Sequence, residues 1–409
     1  MQQHYYIGRQ PIFDAAQNVI GYELLYRRQD QTQAKVVDGD QATSQILINS
    51  FLEMGLEKVV GNHQAFINVT RNFITNIDLL PPPSSQLVLE ILEDIEIDKT
   101  VIAAVRRLKQ MGYIIALDDF IYHPDLKPLV NEANIVKLDV QALNHVELEE
   151  HVLILNKYPI KLLAEKIETP EMFDRCKELD FDYYQGYFLC KPRVLSGRRM
   201  PANRVNTMRM MAELQNPEIN IRELEALISQ DPTMSYKLMR YINSAAFTLS
   251  KKVDSIHHAI VYLGEKEIKR WATLIALTGI DDKPDELITT SLIRSKMCEL
   301  LAASFPEANK DSAFIVGLFS TLDAMMDQPL PEILGALPLS PEITEALVSR
   351  KGPYAAILNS VIAYEQGKWD NLECTNMSKD LITEVYLRSL EWADTIMREI
   401  KSDLHDAQH

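Results

Sequence analysis

In the first half of this chain, short apolar runs end one after another in a side chain that carries a hard oxygen donor. Val19 to Glu23, Ala65 to Asn68, Leu87 to Glu90, Ile114 to Asp119, Ile135 to Asp139 and Leu162 to Glu165 all follow this pattern. Glu, Asp and Asn are ligands that Mg²⁺ and Mn²⁺ accept, so these oxygens brought together would make a hard-cation site without His or Cys. Each residue has a simpler reading when taken alone. An acid after a strand commonly caps the next helix, Lys137 is an ordinary solvated rim lysine, and Gln10 and Arg27 are plain surface groups. The ordered set is what argues for a site.

The elements that must position these residues follow from the same runs. Apolar segments of four to six residues with amphipathic stretches between them read as buried parallel strands separated by helices. From Tyr5 to about Pro192 we count about eight strands, enough to close a TIM-like (β/α)8 barrel whose strand C-termini share one rim. Asp98 should cap a helix carrying Val101, Ile102, Val105 and Leu108, with Gly112 as its stop. Thr169 and Pro170 should open another. Past Ser196 the pattern changes: Arg198, Arg199, Pro201 and Arg204 mark a linker, and the rest has helical periodicity. Asn220 and Asp231-Pro232 are helix starts. The expected division is residues 1–197 as the barrel and 198–409 as an all-α domain.

Composition narrows the partners. The chain has 409 residues, 46% hydrophobic and 24% charged, with a net charge of −16. That balance disfavours an extended nucleic-acid footprint, which needs clustered Lys and Arg, but allows a small anionic ligand neutralised by metal. Cys176, Cys190, Cys298 and Cys374 match no zinc spacing and read as reduced thiols. With no membrane-length apolar run and no leader-like start, a soluble cytoplasmic protein is expected.

The ordered motifs QPIFD, GYELLYR, FINVT, LVLEILED, IIALDDF, VKLD, LLAEKIET and DYYQGYFLCKP resemble the EAL domain, with the naming tripeptide present as Glu23, Leu24, Leu25. The resemblance implies a barrel that hydrolyses cyclic di-GMP to linear pGpG with two divalent ions, Mg²⁺ or Mn²⁺. It places Glu23, Asn68, Glu90 and Asp118 on one metal, with Asp119 and Asp139 helping to hold the second. Lys137 would orient the attacking water and Glu165 would be the general base. Gln185 would lie near the metals, Gln10 and Arg27 would contact the ligand, and Glu93 would anchor the loop after Asp119. Two departures stand out. Ile121, Tyr122, His123, Pro124 and Asp125 follow Asp118-Asp119-Phe120 where the family has a Gly-Thr-Gly-Tyr-Ser-Ser loop, which weakens the expectation of a homodimer. Lys166 replaces a glycine beside Glu165, where it would salt-bridge a neighbour or narrow the pocket.

Residues Leu227 to Trp271 resemble the HDOD domain, a helical relative of HD phosphohydrolases, through Asp231, Pro232, Asn243, Ser244, Ala259, Leu263 and Gly264. Ser320 and Thr321 stand where the metal-binding His-Asp doublet would be, so this half should regulate or bind a protein partner rather than catalyse. His257 and His258 are expected to be one core and one surface residue, and Met208, Met210, Met211, Met325 and Met326 to be core packing. Three functions stay open: an active phosphodiesterase, a cyclic di-GMP receptor without turnover, and a protein-interaction scaffold.

Overall fold

The computed structural model describes residues 5–28, 56–191, 202–243, 253–278, 280, 283–372 and 379–406. The chain forms two compact units. The first is Met1–Lys191 with Ser360–Leu387, and the second is Pro192–Asn359 with Arg388–His409.

Eight strands close the barrel of the first unit in sequence order: β1 (Tyr5–Asp14), β2 (Val19–Arg28), β3 (Gln64–Val69), β4 (Leu87–Ile91), β5 (Ile114–Leu117), β6 (Ile135–Asp139), β7 (Lys161–Glu165) and β8 (Tyr183–Gln185). Strands β2 to β8 are parallel, but β1 runs antiparallel to both β2 and β8. The all-parallel expectation is corrected here. Only Gln17 and its neighbours separate β1 from β2, and a connection this short can join only antiparallel strands. The helices start where their caps lie. Asp98 accepts from Thr100 and Val101 amides ahead of α1 (Lys99–Gln110), and Thr169 accepts from Met172 ahead of α2 (Pro170–Glu178).

The barrel interior is layered. Ile12, Phe66, Val88, Ala116, Ile135 and Leu163 form one apolar layer, with Tyr183 against it. Gly21 belongs to this level, because a Cβ there would lie 2.7 Å from the Phe66 ring. Side chains alternate with a period of two along a strand, so the next inward positions fall two residues further toward the rim. These are Glu23, Asn68, Glu90, Asp118, Lys137, Glu165 and Gln185, with Gln10 two residues back from Ile12 on the reversed strand. The polar ring is one strand period above an apolar floor.

Ser360–Leu387, which the sequence pattern groups with the helical half, instead packs on the first unit. Trp369 stacks on Tyr6 at 5.2 Å between ring centroids. The Tyr364 hydroxyl donates to the Ile7 carbonyl at 2.9 Å, and the Arg9 amide donates to the Tyr386 hydroxyl at 3.3 Å. In the second unit the described residues are helical. Asn220 forms a capping box with Glu223 ahead of Ile221–Ser229, and Asp231 accepts from the Met234 amide at the start of Pro232–Ile242. Among the described residues no helix is long and apolar enough to cross a membrane.

Candidate active site

Lys137 lies at the centre of the polar ring and is 1% exposed. Its ammonium is 3.3 Å from Glu23, 2.9 Å from Glu90, 2.5 Å from Asp118 and 3.3 Å from Glu165. The solvated reading of Lys137 is therefore wrong, because a lysine two residues above Ile135 on an inward face points into the barrel. Glu23 is tied in further. Gln185 donates to it at 2.6 Å and Asn68 at 3.4 Å, while the same Gln185 amide reaches Gln10 at 3.2 Å.

A second tier sits at the lip. The Lys166 ammonium bonds both oxygens of Asp119, at 2.8 and 3.0 Å, and Asp139 at 2.6 Å. Lys166 and Asp119 each follow a strand end in the left-handed region, with φ of 60° and 41°. A side chain bearing a Cβ costs about 1 kcal/mol in that conformation. The other oxygen of Asp139 accepts from the Gln141 and Ala142 amides at 2.8 and 3.0 Å, closing the turn after β6, while Asn144 caps the helix that follows.

The electrostatics reflect one ammonium facing four carboxylates. Burial pushes Glu90 well above the usual carboxylate range, against the pull of Lys137, and raises Asp118 in the same way. Burial, with the neighbouring charges of Asp118 and Asp119 and a hydrogen bond to Asp119, pushes Glu165 up to about 9 despite Lys137. Burial would raise Glu23 too, but Lys137 and the hydrogen bonds from Gln185 and Asn68 outweigh it and hold Glu23 low. Lys137 is itself held well above the ordinary lysine value: burial opposes its charge, but four carboxylates more than offset that.

Among the described residues, no three carboxylate, imidazole or thiolate side chains are arranged to hold a metal ion as they stand. The two ammonium groups stand among the oxygens. The donor set nevertheless suits a hard cation: every group is an oxygen ligand, negative charge exceeds the lysines, and buried Glu90 Oε2 has no hydrogen-bond partner.

Family models match residues 2–192 as an EAL domain and residues 200–329 as an HDOD domain. The chain is 35% identical over 404 residues to the uncharacterized protein YuxH of Bacillus subtilis, covering 96% of this chain and 98% of that one. It is 31% identical to the cyclic di-GMP phosphodiesterase CdgJ of Vibrio cholerae, covering 97% and 94%. The chain belongs to the EAL family, with an HDOD domain after the barrel. Among solved structures, the PaMucR phosphodiesterase in complex with c-di-GMP matches 49% of this chain and 99% of its own at 21% identity, with a TM-score of 0.39.

In this EAL barrel, Glu23, Asn68, Glu90, Asp118, Lys137, Glu165, Gln185 and Gln10 converge on one mouth, and Asp119 and Asp139 meet at its lip around Lys166. Arg27, on β2, pairs with Tyr6 of β1, but its side chain lies outside the described residues. Glu93 is exposed and makes no polar contact with the loop after Asp119 among the described residues. In that loop Ile121 is 64% exposed, and Pro124–Leu126 forms a single helical turn. Lys137, expected from the sequence on the same strand face as Asp139, stands two residues on from the apolar position Ile135; its contact with four carboxylates at once was not foreseen.

In the HDOD unit Ser320 and Thr321 are buried. The Thr321 and Ser291 hydroxyls share a short hydrogen bond, Ser320 donates to the Gly317 carbonyl at 2.7 Å, and Arg294 donates to Ser320 at 3.3 Å. Hydroxyls and a guanidinium fill this position. His257 and His258 are both exposed and pair with Glu225 at 2.9 Å and Asp254 at 3.2 Å. The expected core histidine is corrected: Ile256, Ala259 and Ile260 form the buried face of that helix, and both intervening positions turn outward. Met211, Met325 and Met326 are core, while Met208 and Met210 are half-buried.

Proposed function

We propose that this chain is a divalent-cation-dependent cyclic di-GMP phosphodiesterase that opens the ring to linear pGpG, with the HDOD unit acting as a regulatory, non-catalytic partner-binding module. The observation that supports it most is the ring of Glu23, Glu90, Asp118 and Glu165 closing on the buried Lys137 at one barrel mouth. The 31% identity to a protein named as a cyclic di-GMP phosphodiesterase, over 97% of this chain, agrees with it. Glu23, Asn68, Glu90 and Asp118 would hold the ion, Mg²⁺ or Mn²⁺. A bound divalent ion supplies acidified water and charge neutralisation at phosphoryl oxygens.

The protein's own residues do the rest. Lys137 offers a fixed, buried positive charge to the phosphoryl oxygens and the approaching water. Glu165 takes the proton from that water as the water oxygen bonds to phosphorus and the P–O bond to the sugar oxygen breaks, the leaving oxygen taking up a proton from solvent. Gln185 and Asn68 hold Glu23 in one orientation. Gln10 and Arg27 would contact the nucleotide, Arg27 through paired phosphate hydrogen bonds.

Purified protein with cyclic di-GMP and Mn²⁺ or Mg²⁺ should yield linear dinucleotide. Ca²⁺ should not support the reaction, since its longer and looser coordination misplaces the water. Tight binding without product at any metal concentration would establish the receptor reading instead.

A further inference from the structure

The lip of the barrel carries a cation of its own. Lys166 reaches three oxygens of Asp119 and Asp139 at 2.6 to 3.0 Å, and these are the two residues expected to hold a second divalent ion. Its backbone is anchored beside the mouth. The Lys166 carbonyl accepts from the Gln141 side chain at 2.8 Å, and the next residue, Ile167, donates to the Gln185 carbonyl at 3.0 Å. Gly186 fits beneath it only because it lacks a side chain; a Cβ there would lie 2.0 Å from the Ile167 carbonyl oxygen. The ammonium is thus delivered to the lip by a fixed turn.

Asp139 has little left to offer a metal. Its Oδ1 serves the Gln141 and Ala142 amides and its Oδ2 serves Lys166. A small divalent ion needs these oxygens at about 2.1 Å in near-octahedral order. An ammonium already in contact with the same oxygens competes for their lone pairs and repels the incoming charge. The inner ring differs in number: Lys137 faces four carboxyl groups, and Glu90 Oε2 is left with no hydrogen-bond partner.

Building on the proposed cation-dependent reading of this mouth, we propose that Lys166 is a tethered cation standing in for the second divalent ion. The chain then takes up one Mg²⁺ or Mn²⁺, in the inner ring, rather than two. Lys166 acts through Asp119 and Asp139 and is a positioning residue. It supplies charge at the lip but cannot supply an ionised water.

The test is equilibrium dialysis of the full-length protein against Mn²⁺, with bound metal counted by atomic emission. Wild type, Lys166→Gly, Lys166→Gln and Lys166→Arg are compared, with circular dichroism verifying that each is folded. We expect one Mn²⁺ per chain for wild type and Lys166→Arg, and two for Lys166→Gly and Lys166→Gln. In the latter two, exchange coupling between the ions should appear in the electron paramagnetic resonance spectrum. Two ions on wild type, or one ion on every variant, would overturn the inference and leave the phosphodiesterase reading standing. No ion on any of the four would bring down the cation-site reading itself, and this inference with it.

Discussion

The barrel mouth and the charged cluster of the helical unit balance their charges in opposite ways. At the mouth, one lysine faces four carboxyl groups, three buried and Asp118 half-buried, and desolvation drives Glu90, Asp118 and Glu165 upward in pKa. In the helical unit, Glu299 lies between Arg270 at 2.7 Å and Lys296 at 2.8 Å. Burial would raise Glu299 as well, yet those two cations outweigh it and hold the carboxyl below its usual range. Glu299 has more positive charge than it needs, whereas the mouth has less. Folding alone favours the first arrangement, so a cluster that keeps uncompensated carboxylates marks where a ligand or cation completes the site.

The comparison can be broken most decisively at Glu23. Glu23→Ala should lower linear dinucleotide production by about 10³-fold, a loss in the range seen when one essential catalytic group is removed. A drop confined to a few-fold would mean that the ring is structural. Next comes stability: Lys137→Ala leaves four carboxylates facing one another and should cost about 4 kcal/mol in urea unfolding. If that variant is as stable as wild type, the ring is not held together by charge. Trp369→Ala removes the aromatic stack on Tyr6 and should cost about 3 kcal/mol. A barrel indifferent to that change would place Ser360–Leu387 outside its folding unit.

The remaining effects concern pH, and they carry opposite signs. The folded-state pKa of Glu165 is raised to about 9 from 4.5, so its contribution to stability is present below pH 4.5 and is lost as pH climbs toward 9. Glu165→Gln should therefore gain in Tm relative to wild type between pH 5 and 9. Glu299 is depressed below 4.5, so its contribution is present above that value and lost as pH falls through its folded-state pKa. The Tm deficit of Glu299→Gln should shrink on acidification below pH 4.5. Slopes of the same sign would remove the contrast between the two regions.

Much of the mouth was legible in the sequence because chemistry and periodicity coincide there. Oxygen-bearing residues end apolar runs, and a two-residue repeat puts them on one face. The reversed direction of β1 was not legible, since alternation carries no polarity and only the short link to β2 betrays it. Lys137 reads as a site residue from its place among the ordered motifs, but its contact with four carboxylates at once required the closed barrel. The side-chain pattern of Ser360–Leu387 is helical whichever unit it packs on, so sequence could not assign its aromatic residues to β1. His257 and His258 depended on helix phase, which adjacent positions alone do not fix. The Lys166 contact was foreseeable as a salt bridge, but its two partners required the strand ends and the left-handed turns at Asp119 and Lys166.

The central claim is that the ring around Lys137 binds a divalent ion and works on cyclic di-GMP. Anomalous diffraction at the manganese edge, from crystals of the full chain grown with Mn²⁺, tests it most directly. The account predicts a peak bounded by Glu23, Asn68, Glu90 and Asp118. Catalytically active crystals with no peak there, or with manganese bound only elsewhere, would contradict it.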